Sequence, residues 1–133
     1  MKLVADANVL FALSKPSSVA TSIVDAHKID LISPDFALVE LYKYRDEICE
    51  KSGEKDFAKI ISSLRQKVVF VDISEYRGEL KQAAGKLSDK KDAPYLALAQ
   101  KFGIGIWSND ADLKGLQGVV VLTTKELIML LKK

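Results

Sequence analysis

Five acidic residues stand where type and spacing allow chemistry: Asp6, Glu40, Asp92, Asp110 and Asp112. Asp6 directly follows the apolar triplet Leu3-Val4-Ala5, and Asp110 and Asp112 follow the run from Ile104 to Trp107. In open parallel sheets, ligands bind just beyond the carboxyl ends of strands. One acid at such a place is equally well explained as a turn or N-cap residue. Two strand ends, each with Asp and a polar neighbour (Asn8; Ser108 and Asn109), favour a shared site. Glu40 has Phe36, Ala37 and Tyr44 on its own helical face, at i−4, i−3 and i+4. A carboxylate in that company either pairs with Lys43 or is buried beside a cation. Asp92 lies near the start of a predicted helix, where the dipole accommodates an acid without any function. Asp89 competes with it, both as N-cap and as the third acid of the set.

Carboxylates gathered this closely cannot all stay ionised without cations. An oxygen-only donor set points to Mg²⁺ or Mn²⁺ and away from Zn²⁺. His27 is the only histidine and lies on the apolar face of a predicted helix, so it reads as core or near-surface. Cys49, the only cysteine, reads as a small buried apolar residue and excludes an intrachain disulfide. Neither a Ser-His-Asp relay nor a histidine metal site can be built. An ion held there would polarise a bound oxygen and lower the pKa of a bound water. Asn8 and Ser108 are placed to steady carboxylates or waters. Lys15, Lys43, Arg45, Lys90, Lys91 and Lys114 lie near these motifs and could bind backbone phosphate.

The positioning elements alternate. Leu3 to Ala5 is a short buried strand, and Ser17 to Lys28 a helix with Val19, Ile23, Val24 and His27 at helical spacing. Asp30 to Ile32 is a weak strand. Ser33 as N-cap and Pro34 at the first helical position then open a helix to about Lys51. Gly53 breaks the chain before a helix marked by Phe57, Ile60, Ile61 and Leu64. Val68 to Ile73 is a β-branched strand, and Ser74 caps the next helix. The helix within Asp89 to Phe102 must carry Pro94 in its first turn and ends at Gly103. Ile104 to Trp107 and Val119 to Leu122 are strands, and Thr123 with Glu126 forms a capping box for a last helix to Leu131. This alternation predicts one domain over 1–133, an α/β fold with a mostly parallel sheet covered on both faces. The runs Val68-Val69-Phe70-Val71 and Val119-Val120-Val121-Leu122 predict strands buried on both sides.

The chain has 133 residues, 48% of them hydrophobic and 29% charged, which suffices for one core. No apolar stretch approaches bilayer length, and Asp6 interrupts any secretory leader. With a lone thiol, this predicts a cytoplasmic protein. The formal net charge is +2. If the five acids share one pocket, the remaining surface is distinctly basic, which suits a polyanionic substrate.

Four segments together resemble the PIN domain family. Asp6-Ala7-Asn8-Val9-Leu10 is similar to its opening motif, and Glu40 matches its helix-borne acid. Asp92-Ala93 followed by Ala97-Leu98-Ala99 resembles its third motif. Ser108-Asn109-Asp110-Ala111-Asp112-Leu113 resembles its fourth. Pro94 and Leu113 depart from the commonest pattern without removing an acid. The resemblance implies a three-layer α/β/α sandwich around a mostly parallel five-stranded sheet, with the first and fourth strands adjacent. It implies a Mg²⁺- or Mn²⁺-dependent endoribonuclease with Asp6, Glu40, Asp92, Asp110 and, at the rim, Asp112 as metal ligands. A chain this short looks like the toxin of a VapBC-type toxin–antitoxin pair, with RNA as substrate, a small antitoxin as partner and a homodimeric assembly. Three alternatives stand beside it: an RNA-processing PIN nuclease, a non-catalytic PIN module that binds RNA or protein, and a haloacid-dehalogenase-type phosphatase. That last family wants a second Asp where this chain has Asn8.

Overall fold

A computed structural model describes residues 1–132. Strand β1 (Lys2–Ala5) leads straight into helix α1 (Ala7–Leu13), because the Asp6 carboxylate accepts from Val9 N at 2.9 Å and caps the helix. No sequence expectation covered α1, although Val9, Leu10 and Leu13 bury its one apolar face. Helix α2 (Val19–His27), capped by Ser18, returns the chain to β2 (Asp30–Pro34). His27 is exposed, at the near-surface end of the expected range.

Ser33 and Pro34 do not open a helix. They finish β2, paired in register with Phe70 and Val71, and the buried Ser33 hydroxyl donates to Ala5 O at 2.8 Å. Pairing on both sides of β2 outweighs the local helix-start signal. The helix begins two residues later as α3 (Phe36–Lys43). Tyr44, at φ −107° and ψ 22°, separates it from α4 (Arg45–Ser52), so the single helix expected to Lys51 is two. Gly53 ends α4 at φ 78°, a conformation that costs glycine little. Helix α5 (Phe57–Lys67) feeds β3 (Val68–Val71). Asp72, not Ser74, caps α6 (Ile73–Gly85) through Ser74 N.

A single 3₁₀ turn, Lys90–Asp92, precedes α7 (Ala93–Phe102), with Pro94 in the first turn and Gly103 as left-handed C-cap, both as expected. Then come β4 (Gly105–Trp107), the short α8 (Ala111–Lys114), β5 (Val121–Leu122) and α9 (Thr124–Leu131), which carries the predicted Thr123/Glu126 capping box.

The five strands form one wholly parallel sheet in the order β3-β2-β1-β4-β5. Right-handed crossovers put the helices linking β1, β2 and β3 on one face and those linking β3 to β4 on the other, giving the three-layer α/β/α sandwich. The chain winds outward from β1 and restarts beside it at β4, so the switch point lies between β1 and β4. The central strands are buried except at their first residues. The edges are less covered: Val69 in β3 is 63% exposed, and of the expected strand Val119 to Leu122 only Val121–Leu122 forms, leaving Val120 outside it at 64% exposure, which corrects the expectation of strands buried on both faces. At Gly105 an added Cβ would lie 2.8 Å from Val120 O, and Ile106 N donates to that carbonyl at 2.8 Å. Only glycine lets β5 approach this closely. No helix among the described residues is long and apolar enough to cross a membrane.

Candidate active site

The switch point gathers the acids. Asp6 N donates to Trp107 O at 3.3 Å, tying the end of β1 to the end of β4. Beyond β4, Ser108 N donates to Leu122 O at 3.0 Å and Asp110 N to Ser108 Oγ at 3.0 Å. Asn109 clamps the loop to α9: its Nδ2 donates to Thr124 Oγ1 at 3.0 Å and its Oδ1 accepts from Thr124 N at 2.8 Å. The fully buried Trp107 donates from Nε1 to the same hydroxyl at 3.0 Å. These bonds fix where Asp110 points.

Asp6, Glu40, Asp92 and Asp110 line one cleft of about 390 Å³, together with Asn8, Asp89, Lys91 and Tyr95. Helix α3 packs on α1 and carries Glu40 to the cleft. Phe11 and Tyr44 build a wall, their rings edge to face at 5.7 Å. A larger open groove, of about 660 Å³, runs past Lys2, Arg65 and Phe102 along the β3 side of the sheet. It is away from the switch point, and position rather than volume selects the acidic cleft.

The electrostatics are those of a crowded anionic site. Asp6 is only 6% exposed, and burial raises its pKa above the ordinary carboxylate value. Hydrogen bonds from Ser108, Val9 N and Asn8 N oppose that rise, while the charge of Asp110 adds to it. Asp92 is pushed up to about 6, first by burial and then by the charges of Asp110, Asp89, Asp6 and Asp112. Repulsion of this kind is what a bound cation relieves, and the donors are all hard oxygens. The residues therefore fit Mg²⁺ or Mn²⁺. Among the described residues no three such side chains converge into a ready-made cage. Mg²⁺, which keeps several of its own waters, does not require one.

Several sequence expectations shift in detail. Glu40 makes no ion pair with Lys43 among the described residues, so its bland explanation is absent. Asp89 and Asp92 both line the cleft; Asp89 accepts from Lys91 N at 3.0 Å, whereas Asp92 makes no capping bond. Asp112 is exposed and outside the lining, and its backbone N–H donates to Asp110 Oδ1 at 2.9 Å. Ser108 is fully buried beside Asp6, as a supporting residue should be. Of the basic candidates, Lys91 reaches the cleft. Lys114 is engaged with Glu126, Lys90 donates to Ala84 O at 2.6 Å, and Arg45 stacks on Tyr42 at 4.4 Å. Sequence reasoning missed Glu47, which also lines the cleft, and took Tyr95 only as a core marker. Glu47 follows Glu40 by two turns, a spacing that offered a signal until Tyr44 split the helix.

The chain aligns with a chain in the crystal structure of VapBC2 from Rickettsia felis bound to a DNA fragment from their promoter, at a TM-score of 0.63 and 15% identity, covering 92% of this chain and 98% of that one. It aligns similarly with a chain of FitAcB from Neisseria gonorrhoeae, at a TM-score of 0.58 and 15% identity, covering 94% and 99%. At this identity the likeness is one of fold. No curated protein matches the chain. The phosphatase alternative loses ground on the geometry, since Asn8 is exposed and Glu40, which it leaves idle, faces the cleft. The family model for the PIN domain matches residues 4–132, and the chain, with its acids at the switch point of a parallel sheet, belongs to the PIN domain family, whose members are generally nucleases.

Proposed function

We propose that this protein is a Mg²⁺- or Mn²⁺-dependent endoribonuclease that hydrolyses RNA phosphodiester bonds, and that it is the toxin of a VapBC-type pair. One observation carries the nuclease reading: four carboxylates far apart in sequence line a single cleft, where burial first and the charges of neighbouring acids second hold Asp92 at about 6. Asp6 and Asp110 would be direct ligands of the ion, Glu40 and Asp92 would hold it directly or through water, and Asp112 would support Asp110 from the rim. A bound ion would supply Lewis acidity at the phosphoryl oxygen and a water of lowered pKa. The chain does the rest. Glu40 orients the attacking water, Ser108 and Asn8 hold the Asp6 carboxylate, and Lys91 draws the phosphate backbone to an otherwise repulsive cleft. Water adds across the P–O bond: its oxygen joins phosphorus, one proton passes to a cleft carboxylate, and the leaving sugar oxygen is protonated.

The toxin reading draws on the solved VapBC2 and FitAcB structures as partners in fold. It adds a small antitoxin that blocks the cleft, a homodimer and a cytoplasmic setting. The test uses purified protein, an RNA substrate and Mn²⁺. Cleavage should be lost in EDTA and in Asp6→Asn and Asp110→Asn, with both variants folded. Intact RNA with wild-type protein, alongside normal partner binding by Asp6→Asn, would favour the non-catalytic binding module instead. Cleavage without an adjacent antitoxin gene would favour the RNA-processing nuclease.

A further inference from the structure

Two tyrosines are buried near the carboxyl ends of the strands, and their hydroxyls fare differently. Tyr76 donates to Asp35 Oδ1 at 2.6 Å. Tyr95, only 3% exposed, lines the acidic cleft, and its Oη is the one fully enclosed side-chain polar atom without a hydrogen-bond partner among the described residues. Leaving such a group unpaired costs about 1–3 kcal/mol. Phenylalanine would fill the same volume without that cost, so the orphaned hydroxyl is explained by something it meets. Burial and the charges of Glu40, Asp6 and Asp92 raise the phenol pKa, so the group keeps its proton and meets its guest as a donor. The guest must offer a lone pair and be small enough to reach so enclosed an atom. Water is the smallest such guest, and because Oη has no free surface it enters only where a neighbouring side chain moves aside; a phosphate carried on a polymer is excluded.

We propose that Tyr95 Oη donates a hydrogen bond to a water held at the base of the cleft against Glu40, and that this is the water that attacks the phosphodiester. The second half rests on the nuclease reading above. The water accepts from Tyr95 and donates to Glu40, the carboxylate whose charge bears most on Tyr95, which leaves its other lone pair for phosphorus. As the O–P bond forms, that proton passes to Glu40 and the P–O bond to the leaving oxygen breaks.

The test is Tyr95→Phe in the full chain, with steady-state cleavage of an RNA oligonucleotide at saturating Mn²⁺, a thermal melt and a crystal structure of the wild type. We expect kcat to fall by about tenfold or more, the scale for removing one aimed donor. KM should stay within about twofold, since a donor acting on the water rather than on RNA contributes little to substrate binding. The melting temperature should stay close to that of wild type, because the hydroxyl's partner is a water and not a protein group. The crystal structure should show a water about 2.5–3.0 Å from Oη. Unchanged kcat, or density placing Oη directly against a carboxylate or against an empty gap, overturns the proposal. If wild-type protein cleaves no RNA, the nuclease assignment falls and with it the attacking role, while the crystallographic water alone then decides whether Tyr95 holds one.

Discussion

Three strands in this sheet are followed directly by an aspartate, Asp6, Asp35 and Asp72, and the molecule uses the first two in opposite ways. Asp35, after β2, has both oxygens engaged: Oδ2 accepts from Ile73 N at 3.1 Å and Oδ1 from the Tyr76 hydroxyl at 2.6 Å. It fastens α6 to the sheet. Asp6, after β1, caps α1 with one oxygen, yet burial and Asp110 still raise its pKa. The residue type and its place after a strand are the same. Both carboxylates accept hydrogen bonds; the difference is that Asp6 is also deeply buried and faces the charge of Asp110. A carboxylate fully answered by donors stabilises the fold, and one that is buried beside another acid is poised to bind a cation at some cost to stability.

Substitutions at the two ends should separate function from stability. The largest effect is expected for Asp6→Asn, which should lower Mn²⁺-dependent RNA cleavage on the order of 10²-fold or more, the scale seen when a key electrostatic group is removed. Its melting temperature should match or exceed wild type, because a buried repelled charge disappears; a large drop would make Asp6 structural like Asp35. Asp35→Ala should do the reverse. Urea unfolding should show a loss of about 1–3 kcal/mol, because Tyr76 is left buried without its acceptor.

The third expectation concerns pH. Asp92 binds its proton more tightly folded, at about 6, than at the ordinary value of 3.8. Between those values the native state holds more protons than the unfolded one, so stability falls as pH rises through this window and recovers on acidification. Melting temperatures from pH 4 to 6 should show this slope, and Asp92→Asn should flatten it; a slope of opposite sign would mean that Asp92 is well paired. The smallest effect is expected for Asp112→Asn. Being exposed and outside the cleft lining, it should change cleavage by about twofold, in keeping with surface substitutions worth about 0.5 kcal/mol. A loss as large as that of Asp6→Asn would make Asp112 a principal ligand.

Whereas the β1–β4 switch came from the resemblance to the PIN domain family, the alternation of elements and the acids after the strands were legible because strand ends and helix caps are local signals. Pro94, Gly103 and the Thr123/Glu126 box were right for that reason. The errors came where partners distant in sequence decide. Ser33 and Pro34 have the chemistry of a helix start, but β1 and β3 claim them for the sheet. The apolar run at β3 looks central until the strand order puts it at an edge. Helix α1 went unpredicted although the acid ending the first strand also reads as an N-cap, because Ala7–Leu13 is too short to show a helical period. Tyr95 was indistinguishable in sequence from any aromatic on the inner face of α7. Its missing partner is visible only once every neighbour has a position.

Gly105 lies at the opposite end of β4 from the acids, yet it sets how deeply the outermost strand nests. A methyl group there would wedge β5 outward. Leu122 and Thr124, which anchor Ser108, Asn109 and Trp107, would be carried along with it. The loop bearing Asp110 would then lose its aim with every carboxylate still in the chain. In an assay, a single added carbon atom three residues before Ser108 would imitate the deletion of an acid.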